Sequence, residues 1–471
     1  MSSTLFFNLC GVGYFLGLFI YIANLAMKKA SVRRAATLVV GASFLVQIVG
    51  LVVRWHEAGL VELAAAERAT GLTLEGAQRF VVYTRHPPWS NLYEMMVYMA
   101  WGVVLVFLVT EVKFRIRFAG IFALALALVS LALASLTTDA AIKPLVPALQ
   151  SWWIMIHVVS SAVGYAAGTL GAILSLLFLV KARERVTLSA VAAGTLVVSM
   201  ALFLLLGRGV QLFTTGTYRV KLLREMGSEL IPVGQMVGEL FQTYYVPSPG
   251  VGALMITTLL VSLGAVVLLA RARKSQDVPR GTPFYAYLAA FGATTATLGL
   301  ILINAVTQKD VQLPPDVASL MVVPGPWRLA IESAQWDLAL FLIAWGSQLF
   351  LLLALFMPEK LRTLMPDAVR LDRAAYYSIL VAFALVAVVL VTGALWAHYA
   401  WGRYWGWDPK ETGALVIWIT YALYLHARVT YGWVGVPSAI VGVLGFFIII
   451  AGFLGVNLGY FADGLHSYGR G

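Results

Sequence analysis

The sequence contains very little cysteine and little charge. Cys10 is the only cysteine in 471 residues, so the chain has neither a disulfide framework nor a CxxC pair for zinc or an iron–sulfur cluster. Without a CxxCH sequence, it is not itself a c-type cytochrome. Charged residues make up only 12% of the chain and hydrophobic residues 61%, more apolar surface than a soluble protein of this length buries. The composition therefore predicts an integral membrane protein.

Long apolar runs occupy most of the chain, too long and too uniform for the alternating pattern of a membrane barrel. They predict an all-α, polytopic membrane bundle of about twelve transmembrane helices, at about 20 apolar residues each. The first run lacks a basic leader and a small-residue cleavage site, so we expect a retained helix there. The predicted spans are 4–27, 35–54, 91–110, 118–136, 152–180, 187–206, 249–270, 283–306, 335–356, 376–397, 412–430 and 436–457.

The basic residues cluster in alternate loops. The positive-inside rule puts such loops on the cytoplasmic side, which places both termini on the outer face. The net charge of +11 is then mainly a topology signal, and nucleic acid is not an expected partner. The clustered residues are Lys28, Lys29, Arg33, Arg34, Lys113, Arg115, Arg117, Lys181, Arg183, Arg185, Arg271, Arg273, Lys274, Arg280, Lys360, Arg362, Arg370 and Arg373.

The chain has no internal repeat and no low-complexity linker, so residues 1–471 are expected to form a single membrane domain. Three predicted outward loops are long. The first, 55–90, carries an amphipathic stretch suited to lie on the membrane surface. The second, 207–248, is expected to form one or two surface helices, and the third, 307–334, is rich in proline.

We call the segment 401–411, WGRYWGWDPKE, the tryptophan loop. It places three tryptophans, a tyrosine, two acids and two bases between two apolar runs. A single interfacial tryptophan would be enough to anchor a helix end in the bilayer. Three at spacings of four and two, with Pro409 expected to stop a following helical turn, indicate a surface that holds a flat apolar ligand.

The charged residues of the tryptophan loop have two interpretations. Asp408 and Glu411 either cap the next helix and pair with neighbouring bases, or orient donors around a ligand. Arg403 is suited to a bidentate contact with a carboxylate. We expect a mixture of these roles, and neither acid is expected to be a general base.

Ionisable residues are costly near a membrane, so the six histidines are candidate functional residues. The predicted topology places His157 and His466 on the face of the tryptophan loop, with His398 three residues before it. His426 lies deeper, toward the cytoplasmic end of the span after the loop. Two imidazoles beside an aromatic surface suit haem, which is flat and needs axial ligands. For each histidine, hydrogen bonding at the membrane interface is the alternative.

Four segments resemble the CcsA (ResC-type) cytochrome c assembly proteins, of the haem-handling superfamily that includes CcmC and CcmF. That family's WWD motif and following helix resemble WAHYAWGRYWGWDPKETGALVIWITYALYLHAR. Its two outward-histidine segments resemble PALQSWWIMIH and GVNLGYFADGLHSYG, and its early PxSNxYE element resembles RHPPWSNLYEMM. The resemblance covers 80–180 and 370–471, the expected haem-handling core. Residues 207–356 are extra spans and loops without such a match.

The resemblance implies a cytochrome c synthase (cytochrome c haem-lyase) acting with a CcsB (ResB-like) partner. Such a protein moves haem b, its substrate in transit, to the outer face and presents it for thioether attachment to CxxCH of apocytochrome c. The resemblance implies His157 and His466 as external axial ligands, and His426 as an intramembrane ligand or relay. The implied haem-cradling residues are Trp401, Arg403, Tyr404, Trp405, Trp407, Asp408 and Glu411. Further candidates are His398, His86, Asn91 and Glu94.

Two other classes of function stay open. A haem-binding electron-transfer subunit would retain its haem, whereas a synthase releases haem bound to CxxCH. A solute transporter would need paired charges or broken helices near mid-membrane, and the predicted spans are nearly free of acids. The expected location is the bacterial cytoplasmic membrane or a thylakoid-type membrane, with the haem site on the outer face.

Overall fold

The chain folds mainly into long helices, as the computed structural model shows. The structure describes residues 2–89, 91–137, 140–142, 144–145, 149–182, 187–210, 217–226, 229–233, 236–237, 240–241, 244–247, 250–272, 278–307, 327–330, 334–450 and 452. The chain divides into two compact units, Met1–Lys181 with Leu364–Gly469, and Ala182–Thr363 with Arg470–Gly471.

The first unit consists mainly of apolar helices. Asn91 and Asp367 cap two of these helices, each accepting a first-turn N–H at 2.9 Å. Lys28 and Arg115 adopt the left-handed conformation that ends two others. The helices are α1 (Ser3–Met27), α2 (Ala30–Thr70), α3 (Gly76–Thr84), α4 (Leu92–Phe114), α5 (Ala119–Thr137), α6 (Trp152–Lys181), α12 (Ala368–Trp401), α13 (Pro409–Thr430) and α14 (Val436–Ile450).

Helix α6 is central to this unit. It packs along α12 and also contacts α4 and α14, while α13 packs against α12 and α14. Small residues on α6 allow close approach, and most of the helix is buried. The shared core cluster is Ala167, Ile379, Ala382, Val386, Ile417, Tyr421, Tyr424 and Ile449.

Polar side chains buried among α1, α2 and α4 bind one another. Tyr14 donates to Oε1 of Gln47 at 2.6 Å, and Nε2 of Gln47 donates to the carbonyl of Val97 at 3.0 Å. Arg54 pairs with Glu94 at 2.8 Å. A buried polar group is costly without a partner in an apolar medium, so these contacts fix how the three helices pack.

The second unit contains four longer helices in its described part, α7 (Leu188–Val210), α8 (Val251–Ala272), α9 (Thr282–Thr307) and α10 (Ala334–Phe356), with the short α11 (Pro358–Leu364). Thr258 of α8 and Thr297 of α9 are hydrogen-bonded at 2.9 Å. Tyr287 of α9 donates to the carbonyl of Gln348 on α10 at 3.0 Å. These bonds connect α9 to both neighbours inside the unit.

Short antiparallel strands also occur in the second unit. Strand β1 pairs with β2, β5 and β6, and β3 pairs with β4. The surface helices expected over 207–248 are therefore a wrong prediction for the described residues. The pairing of β1 with β6 explains why, because backbone groups far apart in sequence satisfy each other. The strands are β1 (Thr217–Met226), β2 (Glu229–Val233), β3 (Met236–Val237), β4 (Leu240–Phe241), β5 (Tyr244–Pro247) and β6 (Trp327–Ala330).

A helix lies over each of the twelve predicted spans, the last being described only to Ile450. Six helices in the described residues are long and apolar enough to cross a membrane, namely α1, α2, α4, α6, α8 and α12. Shorter apolar stretches occur at Ala119–Ala132, Leu188–Leu202, Ala344–Phe356 and Val436–Ile450. The fold is thus that of a helical integral membrane protein.

Helix α2 differs from its expected form. It continues unbroken for 41 residues to Thr70, so residues 55–70 extend the predicted span of 35–54. At about 1.5 Å per residue it is roughly twice as long as the hydrocarbon core is thick. Its far half packs against α3, and the ring of Tyr83 lies over Gly59.

The close contact of α4 with α6 at Gly102 generates a stability prediction. A Cβ at 102 would lie 2.8 Å from the carbonyl oxygen of Ala162. We expect Gly102→Ala to cost roughly 1–3 kcal/mol of stability through overpacking, and to lower the unfolding temperature in detergent by several degrees. The control is Gly41→Ala, where a Cβ meets nothing within 4 Å. Equal unfolding temperatures for the two variants would contradict this packing.

Candidate functional site

His157 lies in the second turn of α6, and the backbone of α12 holds its ring. Nδ1 of His157 is 3.0 Å from the carbonyl oxygen of Val389. A carbonyl oxygen only accepts hydrogen bonds, so Nδ1 carries the hydrogen and the lone pair of the neutral ring is on Nε2. Histidines that bind metals usually have their other ring nitrogen fixed in this way. The geometry therefore gives His157 the tautomer of an Nε2 ligand.

The carbonyl of Val389 is accessible because Gly393 lies one turn further along α12. Helical side chains tilt toward the preceding turn, so a side chain at 393 would cover this carbonyl. A Cβ there would lie 2.9 Å from Cε1 and 3.0 Å from Nδ1 of His157. Any residue other than glycine would therefore displace the imidazole.

Two tryptophans connect His157 with the tryptophan loop. The ring centroid of Trp396 is 5.8 Å from that of His157 and 5.2 Å from that of Trp401. Trp396 is buried, and Trp401 is the partly exposed last residue of α12. These separations are typical of aromatic contacts. His157 thus stands at the inner end of a row of rings that reaches the loop.

Helix caps fix both ends of the tryptophan loop. Gly402 is left-handed (φ 73°), and its N–H donates to the carbonyl of His398 at 2.9 Å. Helix α13 begins at Pro409, so the expectation that this proline stops a helical turn is wrong. Proline is favoured at the first helical position because an N–H there has no intrahelical acceptor.

Asp408 and Glu411 form a capping box. Oδ1 of Asp408 accepts the N–H of Lys410 at 2.9 Å. Oε2 of Glu411 accepts the N–H of Asp408 at 3.2 Å and that of Gly406 at 2.8 Å. Asp408 is buried, and both acids bind backbone in the manner of the capping interpretation.

Arg403 folds over the backbone of Gly406, where a Cβ would overlap its guanidinium group. Across the part of the chain that the structure describes, no ion pair is found for Arg403. A partly exposed guanidinium in the tryptophan loop is suited to bind an anionic group of a ligand.

Two large rings of the loop are exposed. Tyr404 is 55% and Trp407 71% exposed. Tyr404 stacks on the exposed imidazole of His398, with 4.2 Å between centroids and 4° between planes. Trp405 meets Trp407 edge to face at 5.8 Å. Adjacent exposed aromatic rings of this kind are suited to contact a ligand, a partner or the membrane interface.

His426 lies near the opposite end of α13, about 25 Å from Pro409 at the helical rise. Its ring is exposed on the side of α13 away from the buried Tyr421. Nδ1 is 3.4 Å from the Thr430 hydroxyl, and the ring meets Tyr431 edge to face at 5.7 Å. The structure therefore separates His426 from the loop.

The other sequence candidates have contacts with α2 and α4. Asn91 caps α4 by accepting the N–H of Glu94, and buried Glu94 pairs with Arg54. His86 is fully buried, with Nδ1 3.0 Å from Oε1 of Glu62. These contacts hold the segment before α4 against α2.

Glu62 also binds the segment that leads into α6. The N–H of Leu145 donates to Oε1 of Glu62, and Nη2 of Arg85 lies 3.8 Å from Oε2. Gln150, two residues before α6, donates to the carbonyl of Leu145 at 2.9 Å. One buried carboxylate thus joins three segments that are distant in sequence.

His466, predicted as the second axial ligand, lies outside the described residues. Within those residues, no group of three or more His, Cys, Asp or Glu side chains is arranged to hold a metal ion. His56 is exposed and contacts the hydroxyl of Tyr83. The described site therefore contains one of the two predicted axial ligands.

The sequence alone did not indicate three contributors to this site. Trp396 is the first letter of the quoted motif WAHYAW, so its position beside the loop was visible but its contact with His157 was not. Gly393 contributes by having no side chain, and Val389 contributes a backbone carbonyl, so neither residue type gave a signal.

Comparisons with known proteins show the family to which the chain belongs. Residues 89–461 match the family model for cytochrome C assembly protein. The chain is 30% identical over 389 residues to the cytochrome c biogenesis protein CcsA of Trichormus variabilis, covering 81% of this chain and 80% of that protein. It is 29% identical over 442 residues to CcsA of Nostoc punctiforme, covering 91% and 96%.

A solved structure, Cytochrome c Heme Lyase CcmF, is also similar. It is 16% identical, with 99% of this chain and 73% of that chain covered. The TM-score of 0.33 is too low to define a shared fold.

The helices and the tryptophan loop define a polytopic membrane protein with an exposed aromatic loop between two of its helices. The family match covers most of the chain, including the described residues of this site. The protein belongs to the cytochrome c assembly family, with curated relatives of the CcsA type.

The contacts of Glu62 generate a second stability prediction. Glu62→Ala leaves buried His86 and the N–H of Leu145 without this acceptor, so we expect a loss of about 3 kcal/mol, seen as a lower unfolding temperature in detergent. Glu62→Gln keeps an acceptor oxygen, so it should lose less stability than Glu62→Ala. The control is Glu75→Ala, an exposed position whose side chain makes no cap bond. If Glu62→Ala unfolds no earlier than this control, Glu62 does not hold the three segments together.

Proposed function

We propose that this chain is the membrane subunit of a cytochrome c synthase that moves haem to the outer face and presents it to apocytochrome c. The observation that carries the proposal is the hydrogen bond from Nδ1 of His157 to Val389, because it fixes the tautomer that ligates iron. The row of rings from His157 to Trp401 connects this ligand with an exposed aromatic surface. A flat apolar macrocycle with a central metal matches both features.

The tryptophan loop would hold the edges and faces of the haem. Exposed rings of Tyr404 and Trp407 offer apolar contact, and the Arg403 guanidinium is suited to a propionate. Asp408 and Glu411 would act through the backbone that they cap. The loop then positions haem without forming a bond to it.

His466 is proposed as the second axial ligand, from its position in the segment that resembles the family. Two imidazoles would hold the iron in its reduced state and keep oxygen away until the histidine of CxxCH displaces one of them. In the attachment step, each cysteine S–H adds across a vinyl group of haem b. Sulfur bonds to one vinyl carbon and the hydrogen goes to the other. This chain's own contribution is to bind and orient the haem.

The exposed His426 supports a role within the membrane. Its neighbours on the same side of α13, Ile419 and Leu423, are exposed and apolar, so this side faces lipid or a partner helix. An imidazole facing lipid alone would be costly. We propose that a CcsB (ResB-like) partner covers this side and supplies a second ligand to haem in transit.

The proposed topology has about twelve spans, both termini outside, and the tryptophan loop on the outer face of a bacterial cytoplasmic or thylakoid-type membrane. Residues 80–180 and 370–471 form the haem-handling core within a single membrane domain. The role of 207–356 in this proposal is to dock the partner or apocytochrome c.

The ligand assignment is tested by purifying the protein with His157→Gly and with His466→Gly and recording reduced haem spectra. We expect each variant to lose most of its haem or to change its spectrum, because one axial bond is lost, and to mature less cytochrome c. His56→Gly is the control, since this exposed histidine contacts Tyr83 of α3 in the described residues.

Two results would contradict the proposal. If both variants keep wild-type haem spectra and still mature a cytochrome, the ligand assignment is wrong. If the wild-type protein, together with its CcsB (ResB-like) partner, keeps its haem in the presence of reduced CxxCH peptide and attaches none, an electron-transfer subunit is the better description.

The topology is tested with single cysteines at the two ends of α2, because native Cys10 is buried. Lys29→Cys should be protected from a membrane-impermeant maleimide in intact cells, and Thr73→Cys should react. Both cysteines should react once the membrane is dissolved. Labelling of Lys29→Cys alone in intact cells would reverse the proposed orientation.

A further inference from the structure

Trp407 has an unusual backbone conformation for its residue type. Its φ is 57°, in the left-handed region, although it carries a large side chain. Left-handed residues with a Cβ are disfavoured, and bulky ones in particular are uncommon. Such a residue persists only where surrounding contacts impose it, and these positions concentrate at functional sites.

The contact that imposes it is the carboxylate of Glu411. Oε2 of Glu411 accepts the N–H on both sides of Trp407, from Gly406 at 2.8 Å and from Asp408 at 3.2 Å. Hydrogen bonds to an ionised acceptor are stronger than neutral ones. Glu411 is itself fixed in the first turn of α13, so the chain around Trp407 is bent toward a rigid helix end.

Helix capping alone does not require this arrangement. In a capping box the side chain of Glu411 has to accept only the N–H of Asp408, while the side chain of Asp408 accepts a first-turn N–H. The bond to Gly406 is additional, and it turns the chain at Trp407. A residue before the N-cap usually packs its apolar side chain on the fourth helical residue, which is the polar Thr412 here. Trp407 is instead 71% exposed.

We infer that Glu411 is a positioning residue that holds the indole of Trp407 outward as a contact surface for the haem macrocycle. This inference rests on the proposed function. It also changes the expected role of Glu411, which acts on haem through the backbone of Trp407 and not by touching the ligand. A flat ligand then meets a ring that is already fixed in place, so little ordering is needed on binding.

Four variants test this inference, with haem content, haem loss to an excess of a haem-free globin, and unfolding temperature as readouts. Trp407→Gly removes the indole and fits the left-handed conformation, so haem should be lost about tenfold faster while the haem-free protein unfolds no earlier. Glu411→Ala should lose haem similarly fast although Trp407 is present. Glu411→Gln keeps one acceptor oxygen, so its rate of haem loss should lie between those of Glu411→Ala and the wild type.

The double variant Glu411→Ala/Trp407→Gly distinguishes positioning from general stability. If Glu411 acts through Trp407, the double variant should lose haem no faster than Trp407→Gly alone. Asp367→Ala is the control, because it removes a carboxylate that caps the start of α12, at the end of that helix opposite the tryptophan loop. Its haem loss should equal that of the wild type.

The possible failures can be told apart. Additive effects of the two substitutions, or wild-type haem retention in Glu411→Ala beside rapid loss in Trp407→Gly, would overturn the role of Glu411. If Trp407→Gly keeps its haem like the wild type while His157→Gly loses it, this inference is wrong and the proposed function stands. If His157→Gly and His466→Gly both keep their haem like the wild type, the proposed function itself is wrong.

Discussion

The contact between α6 and α12 is the constraint on which the rest of the site depends. The partly buried imidazole of His157 needs a hydrogen-bond partner among its apolar neighbours. The partner comes from α12, at a carbonyl left open by Gly393. Because α12 ends at Trp401, where the tryptophan loop begins, the same contact fixes His157 and the tryptophan loop relative to each other.

A second constraint is the short turn between α12 and α13. Both helix ends have orphan backbone groups, and Gly402, Asp408 and Glu411 satisfy several of them within a few residues. These bonds fix the backbone of the turn, and the rings of Tyr404 and Trp407 are exposed. The left-handed backbone of Trp407 costs stability. The exposed aromatic ring that it carries is suited to the flat ligand of the proposed function.

The helices were largely predictable from the sequence, because an apolar run in a bilayer has few alternatives to a helix. The sequence predictions that were wrong have identifiable causes. The helical continuation of α2 past the predicted span and the start of α13 at Pro409 both depend on capping and packing, which hydropathy does not report. The strands of the second unit depend on pairing between β1 and β6, two segments far apart in sequence.

The sequence by itself determined the membrane class, the positions of the helices and the tryptophan loop as the main candidate site. These follow from composition and from residue types that are rare in such chains. Only the tertiary structure decided which nitrogen of His157 is held, that Trp396 connects it to the loop, and that Glu411 bends the chain at Trp407. These features arise from a backbone carbonyl, a missing Cβ and a convergence of N–H groups, which become visible only when distant segments are packed together.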